Sequence, residues 1–307
     1  MTDVTSSGYA LGIDLGGSSA KSVAVKLDGT VLDRQQSDFD PAIPMQWAER
    51  VRGLVSTHTQ ELGGNAVSIG LAAPGLAARD ERSISFMPGR LQGLEGLNWT
   101  KFLNQPKPVP VINDAHAALL GEVWVGAARG LQNVILITLG TGVGGAAMVD
   151  GRLLRGEIGR AGHLGHASLD PWGAPDICGT PGSLEQSMGN CSIHQRSNGR
   201  FPTTHDLVNA YRDHDPEATR IWLESIRRLA AAICSFINIL DPAAVILGGG
   251  ISRSGPALFD PLQKHLNEME WRPGGHRVNV LPATLGEFAG ALGAARQGIL
   301  GVKPMRA

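Results

Sequence analysis

The residues of this chain best placed to do chemistry are glycines at the end of an apolar strand, with carboxylates spaced around them. Ile135, Leu136, Ile137 and Leu139 form the β-branched, apolar run of a central strand, and Gly140, Gly142, Gly144 and Gly145 follow at once. Glycines there permit positive φ and let backbone N–H groups approach an anion closely. Ala146, Ala147, Met148 and Val149 resume a strand, Asp150-Gly151 favours a type I′ turn, and Leu153 and Leu154 continue beyond it. The expected element is a phosphate-binding hairpin in which glycines join strand to strand.

That connection separates it from two common nucleotide motifs. A dinucleotide fingerprint and a Walker loop each need a helix directly after the glycines, and the Walker loop also needs a Gly-Lys-Ser/Thr that is missing here. Alone, the stretch reads equally well as a plain glycine-rich hairpin. A second copy shifts that balance. Ile13-x-Leu15-Gly16 leads through a strand to Asp28-Gly29, as Ile137-x-Leu139-Gly140 leads to Asp150-Gly151, the two lengths differing by two residues. A difference of two preserves strand phase. Two such hairpins predict a duplicated domain whose halves turn their glycines toward a shared cleft, where nucleotide phosphates would sit.

The elements that must hold these turns are legible around them. Residues 9–37 read as three strands in a meander, with Asp14 at the end of the first. Residues 45–62 carry Trp47, Val51, Leu54 and Val55 at helical spacing and stop at Gly63-Gly64, which makes an amphipathic helix. A buried strand over 67–73 ends in Pro74-Gly75, and a glycine-rich irregular loop runs to Trp99; loops of that length are often functional. Asn113-Asp114 stands between a short strand, 109–112, and a helical run, 115–124. By itself an Asp before an Ala-rich helix is a good N-cap, worth ~1 kcal/mol. Further on, a helix over 218–240 stops at Asp241-Pro242, a strand over 244–247 ends in Gly248-Gly249-Gly250, and a helix (258–269), a strand (278–281) and an Ala-rich helix (287–300) complete an α/β pattern. Residues 1–114 with 287–307 are expected to form one lobe and 115–286 the other.

Composition sets looser bounds. At 307 residues and 42% hydrophobic content, the chain can bury one large or two medium cores. Its 27 basic and 28 acidic residues leave a net charge of −1, which gives no electrostatic footprint for nucleic acid and no basic patch for a membrane surface. Cys178, Cys191 and Cys234 are too few and too irregular for a disulfide framework, no charged region followed by an apolar one opens the chain, and no apolar run reaches the ~18 residues of a membrane span. A cytoplasmic protein acting on small neutral substrates is expected.

The runs GIDLGG, VINDA, ITLGTGVGGA, AGHLGH, CGTPGSLE and VILGGGIS occur in the order seen in the ROK family of sugar kinases, which the chain resembles nearly end to end. The resemblance implies a two-lobed, actin-like and hexokinase-like (ribonuclease H-like) ATPase fold with the active site between the lobes. It implies an ATP-dependent kinase using Mg²⁺ and acting on a hexose, glucose at its 6-hydroxyl foremost, and a homodimer. By the same resemblance Asp114 is the catalytic base and Asn113 binds a sugar hydroxyl; Gly75 and Asn98 border the sugar pocket, and His166 and Glu185 touch the sugar. Asp14, Gly16, Gly17 and Ser18 lie about the phosphates, as do Gly140, Thr141 and Gly142, while Gly249 and Gly250 make room for adenosine.

The chain also departs from the family pattern. Ser18-Ser19 replaces Thr-Lys after the first glycines, with Lys21 two positions on. His163 stands where the family has the glutamate of Glu-x-Gly-His, so a residue that donates one hydrogen bond and accepts one replaces a pure acceptor. That exchange is expected to shift sugar choice. The family's Cys-x-Cys-Gly-x-x-Gly-Cys reads Asp176-Ile-Cys178-Gly-Thr-Pro-Gly-Ser183, and His166 with Cys178 and a weak third ligand in Asp176 falls short of the four that a structural zinc wants, so no zinc is expected. A repressor of the same family would need a DNA-binding module ahead of Gly12, which only 11 residues precede. A catalytically silent sugar-binding protein fits less well with both hairpins and Asp114 in place.

Overall fold

The computed structural model describes residues 8–301; the ends of the chain, 1–7 and 302–307, which the sequence reading placed in the first lobe and searched for a leader, lie outside the described residues. The chain divides into two compact units: Met1–Gly130 with Arg155–Ala161 and Thr284–Ala307, and Leu131–Leu154 with Gly162–Ala283.

The first unit runs β1 (Ala10–Leu15), β2 (Ser19–Val25), β3 (Val31–Asp38), α1 (Gln46–Glu61), β4 (Ser68–Ala73), β5 (Leu76–Ala77), β6 (Ile84–Phe86), α2 (Trp99–Phe102), β7 (Val111–Asn113) and α3 (Asp114–Val125). Its main sheet has the order β3-β2-β1-β4-β7, with β1, β4 and β7 parallel and β2 antiparallel to both neighbours. On one face Trp47 and Val51 of α1 pack with Leu11, Ile13, Leu71 and Trp99, the rings of Trp47 and Trp99 meeting edge to face at 5.8 Å.

The second unit repeats the plan with β8 (Val134–Leu139), β9 (Val143–Val149), β10 (Arg152–Leu153), α4 (Leu184–Met188), α5 (Ile193–Arg196), α6 (Thr204–Arg212), α7 (Pro216–Leu240), β11 (Ala244–Gly248), α8 (Pro256–Met269) and β12 (Asn279–Pro282). Its sheet order is β10-β9-β8-β11-β12, again with the first, fourth and fifth strands in chain order parallel. The core lies between this sheet and α7, where Ile226, Leu229 and Ile233 are fully buried with Ile135, Ile137 and Leu247. Sequence reading left 197–217 without elements, but α6 is fixed there by a capping box in which Thr203 and Asp206 each bond the other's backbone N–H, and α7 begins with Pro216 behind an Asp215 cap.

The chain then returns to the first unit as α9 (Ala289–Leu300), one turn of 3₁₀ helix at Gly286–Phe288 replacing the expected helical start at Glu287. Its small residues have a steric purpose. A β-carbon on Gly12 of β1 would sit 1.9 Å from the Ala291 carbonyl, one on Gly70 of β4 would sit 1.9 Å from that of Ala294, and one on Gly293 would meet the Ala117 carbonyl of α3 at 1.6 Å. Backbone therefore lies directly on backbone. This packing draws α3 into the first unit, so the boundary expected at 114/115 falls after Gly130 instead. Buried Glu122 of α3 fastens the return, accepting from the N–H groups of Thr284 and Leu285, each at 2.9 Å. No helix among the described residues is long and apolar enough to cross a membrane.

Candidate active site

In the first unit the implied site residues stand at the carboxyl ends of adjacent parallel strands, where open α/β sheets place their ligands. Asp14 is the second-last residue of β1, the Pro74-Gly75 turn follows β4, and Asn113-Asp114 joins β7 to α3. Asn113, not Asp114, is the helix cap: its Oδ1 accepts from the N–H groups of Ala115 and His116, and its Nδ2 donates to the Gly75 carbonyl at 3.1 Å. One Nδ2 hydrogen is left for a substrate oxygen. Gly75 is required twice over, since its φ is +98° and a β-carbon would lie 2.5 Å from the Phe86 carbonyl. The side chain of Asp114 is thereby released from capping; it is exposed, with Oδ1 accepting from Ala115 N–H at 2.8 Å.

Asp14 is the electrostatic centre of this half. Burial, and then the charge of Asp114, push its carboxyl up to about 7, against the opposing pull of Lys21. Lys21 does not stand apart as a phosphate ligand, because its Nζ donates to Glu287 Oε2 at 2.7 Å. A half-buried carboxylate beside a second one, with its nearest cation already paired, suits a divalent ion, so Asp14 fits the Mg²⁺ that accompanies a nucleotide. Sequence reading missed Gly290 of α9, where a β-carbon would fall 2.3 Å from Asp14 Oδ2. No local signal marks it, since the contact spans most of the chain. Gly16, Gly17 and Ser18 form the β1–β2 turn, with Gly16 N–H bonded to the Ser19 carbonyl at 2.9 Å and Gly17 and Ser18 exposed. Asn98 caps α2, its Oδ1 accepting from Lys101 N–H at 3.1 Å.

In the second unit Gly140, Thr141 and Gly142 form the β8–β9 turn at the carboxyl end of β8, and Gly249-Gly250 follow the end of parallel β11. The reason expected for the hairpin glycines is corrected here: none of Gly140, Gly142, Gly144 and Gly145 has positive φ. Close packing requires two of them instead. A β-carbon on Gly142 would lie 2.3 Å from Glu185 Oε2, and one on Gly145 would lie 2.7 Å from the Gly162 carbonyl. Glu185 is buried and its Oε2 accepts from Val143 N–H at 2.9 Å, while Asn190 and Cys191 donate to the carbonyls of Gly140 and Thr141. Gly249, with φ +84°, tucks under the Leu139 carbonyl, and nothing lies within 4 Å of a β-carbon added at Gly250.

His163 is half-buried and leads into a 3₁₀ turn ending at His166. Both ring nitrogens of His166 face the loop that follows: Nδ1 is 2.7 Å from Asp176 Oδ2, and Nε2 is 3.5 Å from Cys178 Sγ. A sugar contact through His166 has to replace one of these. The three residues gather like metal ligands, with candidate ligand atoms within 4.8 Å of one another. They do not fit zinc as they stand. Two ligands on one tetrahedral zinc are about 3.3 Å apart, whereas His166 and Asp176 are at hydrogen-bond distance. Asp176 Oδ1 is spent on the N–H groups of Cys178 (2.9 Å) and Thr180 (3.0 Å), and burial keeps the Cys178 thiol above its ordinary range, aided by the charges of Asp176 and Glu185. Burial opposes ionisation of Asp176, but hydrogen bonds from His166, Ser183, Thr180 and Cys178 outweigh it and lower its pKa.

One further constellation resembles chemistry without supplying it. Ser22 Oγ lies 2.8 Å from His58 Nε2, and His58 Nδ1 lies 3.2 Å from Asp33 Oδ2 without hydrogen-bond geometry, the residue types of a hydrolytic triad. Ser22 and His58 are both completely buried, so no substrate reaches the hydroxyl.

The ROK family matches residues 10–297. A glucokinase of Thermotoga maritima is 31% identical over 313 residues, 93% of this chain and 95% of that one. An N-acetylmannosamine kinase of Escherichia fergusonii is 29% identical, covering 93% of this chain and 96% of its own. Among solved structures, a ROK hexokinase from Thermus thermophilus superposes with a TM-score of 0.83 at 29% identity, over 95% of this chain and 98% of that one. A ROK glucokinase from Streptomyces griseus, solved with glucose and AMPPNP, gives 0.78 at 28% identity, over 96% of this chain and 100% of that one. These structures have the actin-like ATPase fold, and the two matching sheets of this protein are its duplicated halves. From its strand plan to its motif order, the chain belongs to the ROK family.

Proposed function

We propose that the protein is an ATP-dependent hexose kinase that transfers the γ-phosphoryl group to a sugar hydroxyl, with the 6-hydroxyl of glucose as acceptor. The observation that carries this reading is the carboxylate pair at the strand ends of the first unit, a half-buried Asp14 pushed up to about 7 and an exposed Asp114 beside the Asn113 cap. Phosphoryl transfer asks the protein mainly to align the acceptor oxygen and neutralise charge. In this scheme Asp114 accepts the hydroxyl proton, Asn113 donates its remaining N–H to a neighbouring sugar oxygen, and Gly75, held by Asn113, shapes the loop beside them. Asn98, His163, His166 and Glu185 are the further sugar contacts proposed. The turn at Gly16, Gly17 and Ser18 and the turn at Gly140, Thr141 and Gly142 offer phosphate oxygens their N–H groups other than those of Gly16 and Gly140, which bond the Ser19 and Gly142 carbonyls, and Gly249 and Gly250 leave room for adenosine. Mg²⁺, when bound with ATP, supplies charge neutralisation at the transferring phosphates. A cytoplasmic homodimer completes the proposal.

The N-acetylmannosamine kinase relative supports a second reading, in which the acceptor is an N-acylamino sugar. His163, in place of a carboxylate, is the residue proposed to decide between them, because its ring N–H can meet an acyl oxygen that a carboxylate would repel. A coupled ADP-release assay across glucose, mannose, fructose, N-acetylglucosamine and N-acetylmannosamine tests both. Glucose is expected to give the highest kcat/KM; a preference for an acylated sugar would favour the second reading, and ADP release with none of them would overturn both.

A further inference from the structure

The second unit holds a cavity of about 340 Å³ bordered by α4, α5 and α7, lined by none of the residues assigned above to sugar or nucleotide. Arg196, Arg220 and Arg228 enter it, together with Gln186, Ser187 and Ser225. Two of the arginines share one carboxylate, Glu224, which meets Arg228 through a single nitrogen at 3.0 Å and Arg220 at 3.6 Å. Arg196 is different. Its Nε donates to Ser192 Oγ (3.0 Å), one terminal nitrogen to Ser225 Oγ (2.7 Å) and the other to the Gly189 carbonyl (3.1 Å), and no carboxylate pairs with it among the described residues. The guanidinium is therefore a largely buried cation fixed by neutral oxygens. Burial, its first cause, lowers its pKa to about 10, with Arg228 adding to that effect and the Cys191 thiol and Glu224 opposing it.

Such a charge is costly to bury without an anion. Three bonds use three of the five N–H groups and leave one on each terminal nitrogen for the oxygens of an anion. The other lining carboxylate, Asp170, is tied to its own loop through Trp172 N–H at 3.0 Å. The volume exceeds that of an inorganic oxyanion and leaves space for a short carbon skeleton beside Gln186 and Ser187. We propose that this cavity binds a small phosphate monoester through Arg196 and Arg228, at a site separate from those for sugar and ATP. The tetrahedral dianion is favoured over a carboxylate because it can meet Arg196 and Arg228 with different oxygens. Binding here has a route to the other ligands. Gln186 and Ser187 belong to α4, which also carries Glu185, and Arg196 holds the Gly189 carbonyl at the end of that helix.

Calorimetric titration of the full chain at fixed ionic strength, with glycerol 3-phosphate, inorganic phosphate and malonate as probes, tests the proposal whether or not the protein is a kinase. Saturable binding of glycerol 3-phosphate is expected, not displaced by AMPPNP, weaker with inorganic phosphate and weaker still with malonate. Arg196→Gln should weaken it at least about tenfold, as expected for loss of a charge-assisted pair. Arg228→Gln, a partly exposed change that leaves the core intact, should weaken it severalfold if Arg196→Gln fails to fold, and Arg227→Gln, an exposed change outside the cavity, should not. Absence of saturable binding, displacement by AMPPNP, equal or tighter binding of malonate, or equal weakening by Arg227→Gln would each overturn it.

Discussion

The two glycine hairpins occupy the same position in sheets of the same strand order, but glycine serves a different purpose in each. At β1–β2 the glycine turn stands open: a β-carbon on Gly17 meets nothing within 4 Å, and Asp14 sits just before the turn. At β8–β9 the turn is clamped, with Glu185 lying where a Gly142 side chain would go and taking the N–H of Val143. Thr138 occupies the position equivalent to Asp14, so the second unit has no carboxylate at that strand position. A duplicated fold has kept its strand plan, and the proposed function divides the chemistry between its copies: one supplies carboxylates, the other a backbone turn clamped by Glu185.

The largest effect is expected from Asp114→Asn, which removes a proton acceptor and little volume. It should lower kcat by at least ~10³ and leave KM for sugar within an order of magnitude. Thr138→Ala, on the other side of the comparison, should leave kcat within about threefold; equal losses from the two would erase the division of labour. Next come the glycines. Gly142→Ala drives a methyl into Glu185 and should cost about 2 kcal/mol of stability, whereas Gly17→Ala, whose φ is already negative, should stay within about 0.5 kcal/mol. Urea unfolding of both would show it, and equal midpoints would refute the contrast.

A smaller effect concerns pH. The Asp14 carboxyl moves from an ordinary 3.8 to about 7 on folding, so the ligand-free folded protein keeps a proton that the unfolded chain gives up between those values. Stability should therefore fall as pH rises from about 4 to about 7, and Asp14→Asn should flatten that slope and unfold at higher urea than the parent at pH 8. An unaltered slope would remove Asp14 from the electrostatic centre. Least affected should be the protein stripped of transition metals. Elemental analysis is expected to find no stoichiometric zinc, and activity should survive chelation once Mg²⁺ is restored; one zinc per chain would contradict the hydrogen-bonded reading of Asp176.

What the sequence revealed and what it hid divide along physical lines. Both hairpins, the Asp150-Gly151 turn with its φ values of 49° and 68°, and the strands entering the site are set by neighbours in sequence, and residue type with period sufficed. The first Asp-Gly pair misled slightly, because Val25 opposite Val31 leaves five residues in that turn, where Val149 opposite Arg152 leaves two. Long-range partners were invisible. Gly142 answers to Glu185, Gly290 to Asp14 and Gly293 to Ala117, and no local pattern announces a close approach across tens of residues. The same holds for Arg155, whose guanidinium bonds buried Glu81, and for Gln297, which reaches the other Glu81 oxygen at 2.6 Å. The capping role of Asn113 was hidden differently, since two capping residues stand side by side and only geometry decides which turns inward.

Product identification by ³¹P and ¹³C NMR after incubation with ATP, Mg²⁺ and ¹³C-labelled glucose decides whether the protein transfers a phosphoryl group to a sugar. The predicted result is ADP and a sugar phosphate in equal amounts, with the ester on the 6-hydroxyl and neither product formed by Asp114→Asn on the same timescale. ADP without a sugar ester, or an ester made equally fast by Asp114→Asn, would contradict it.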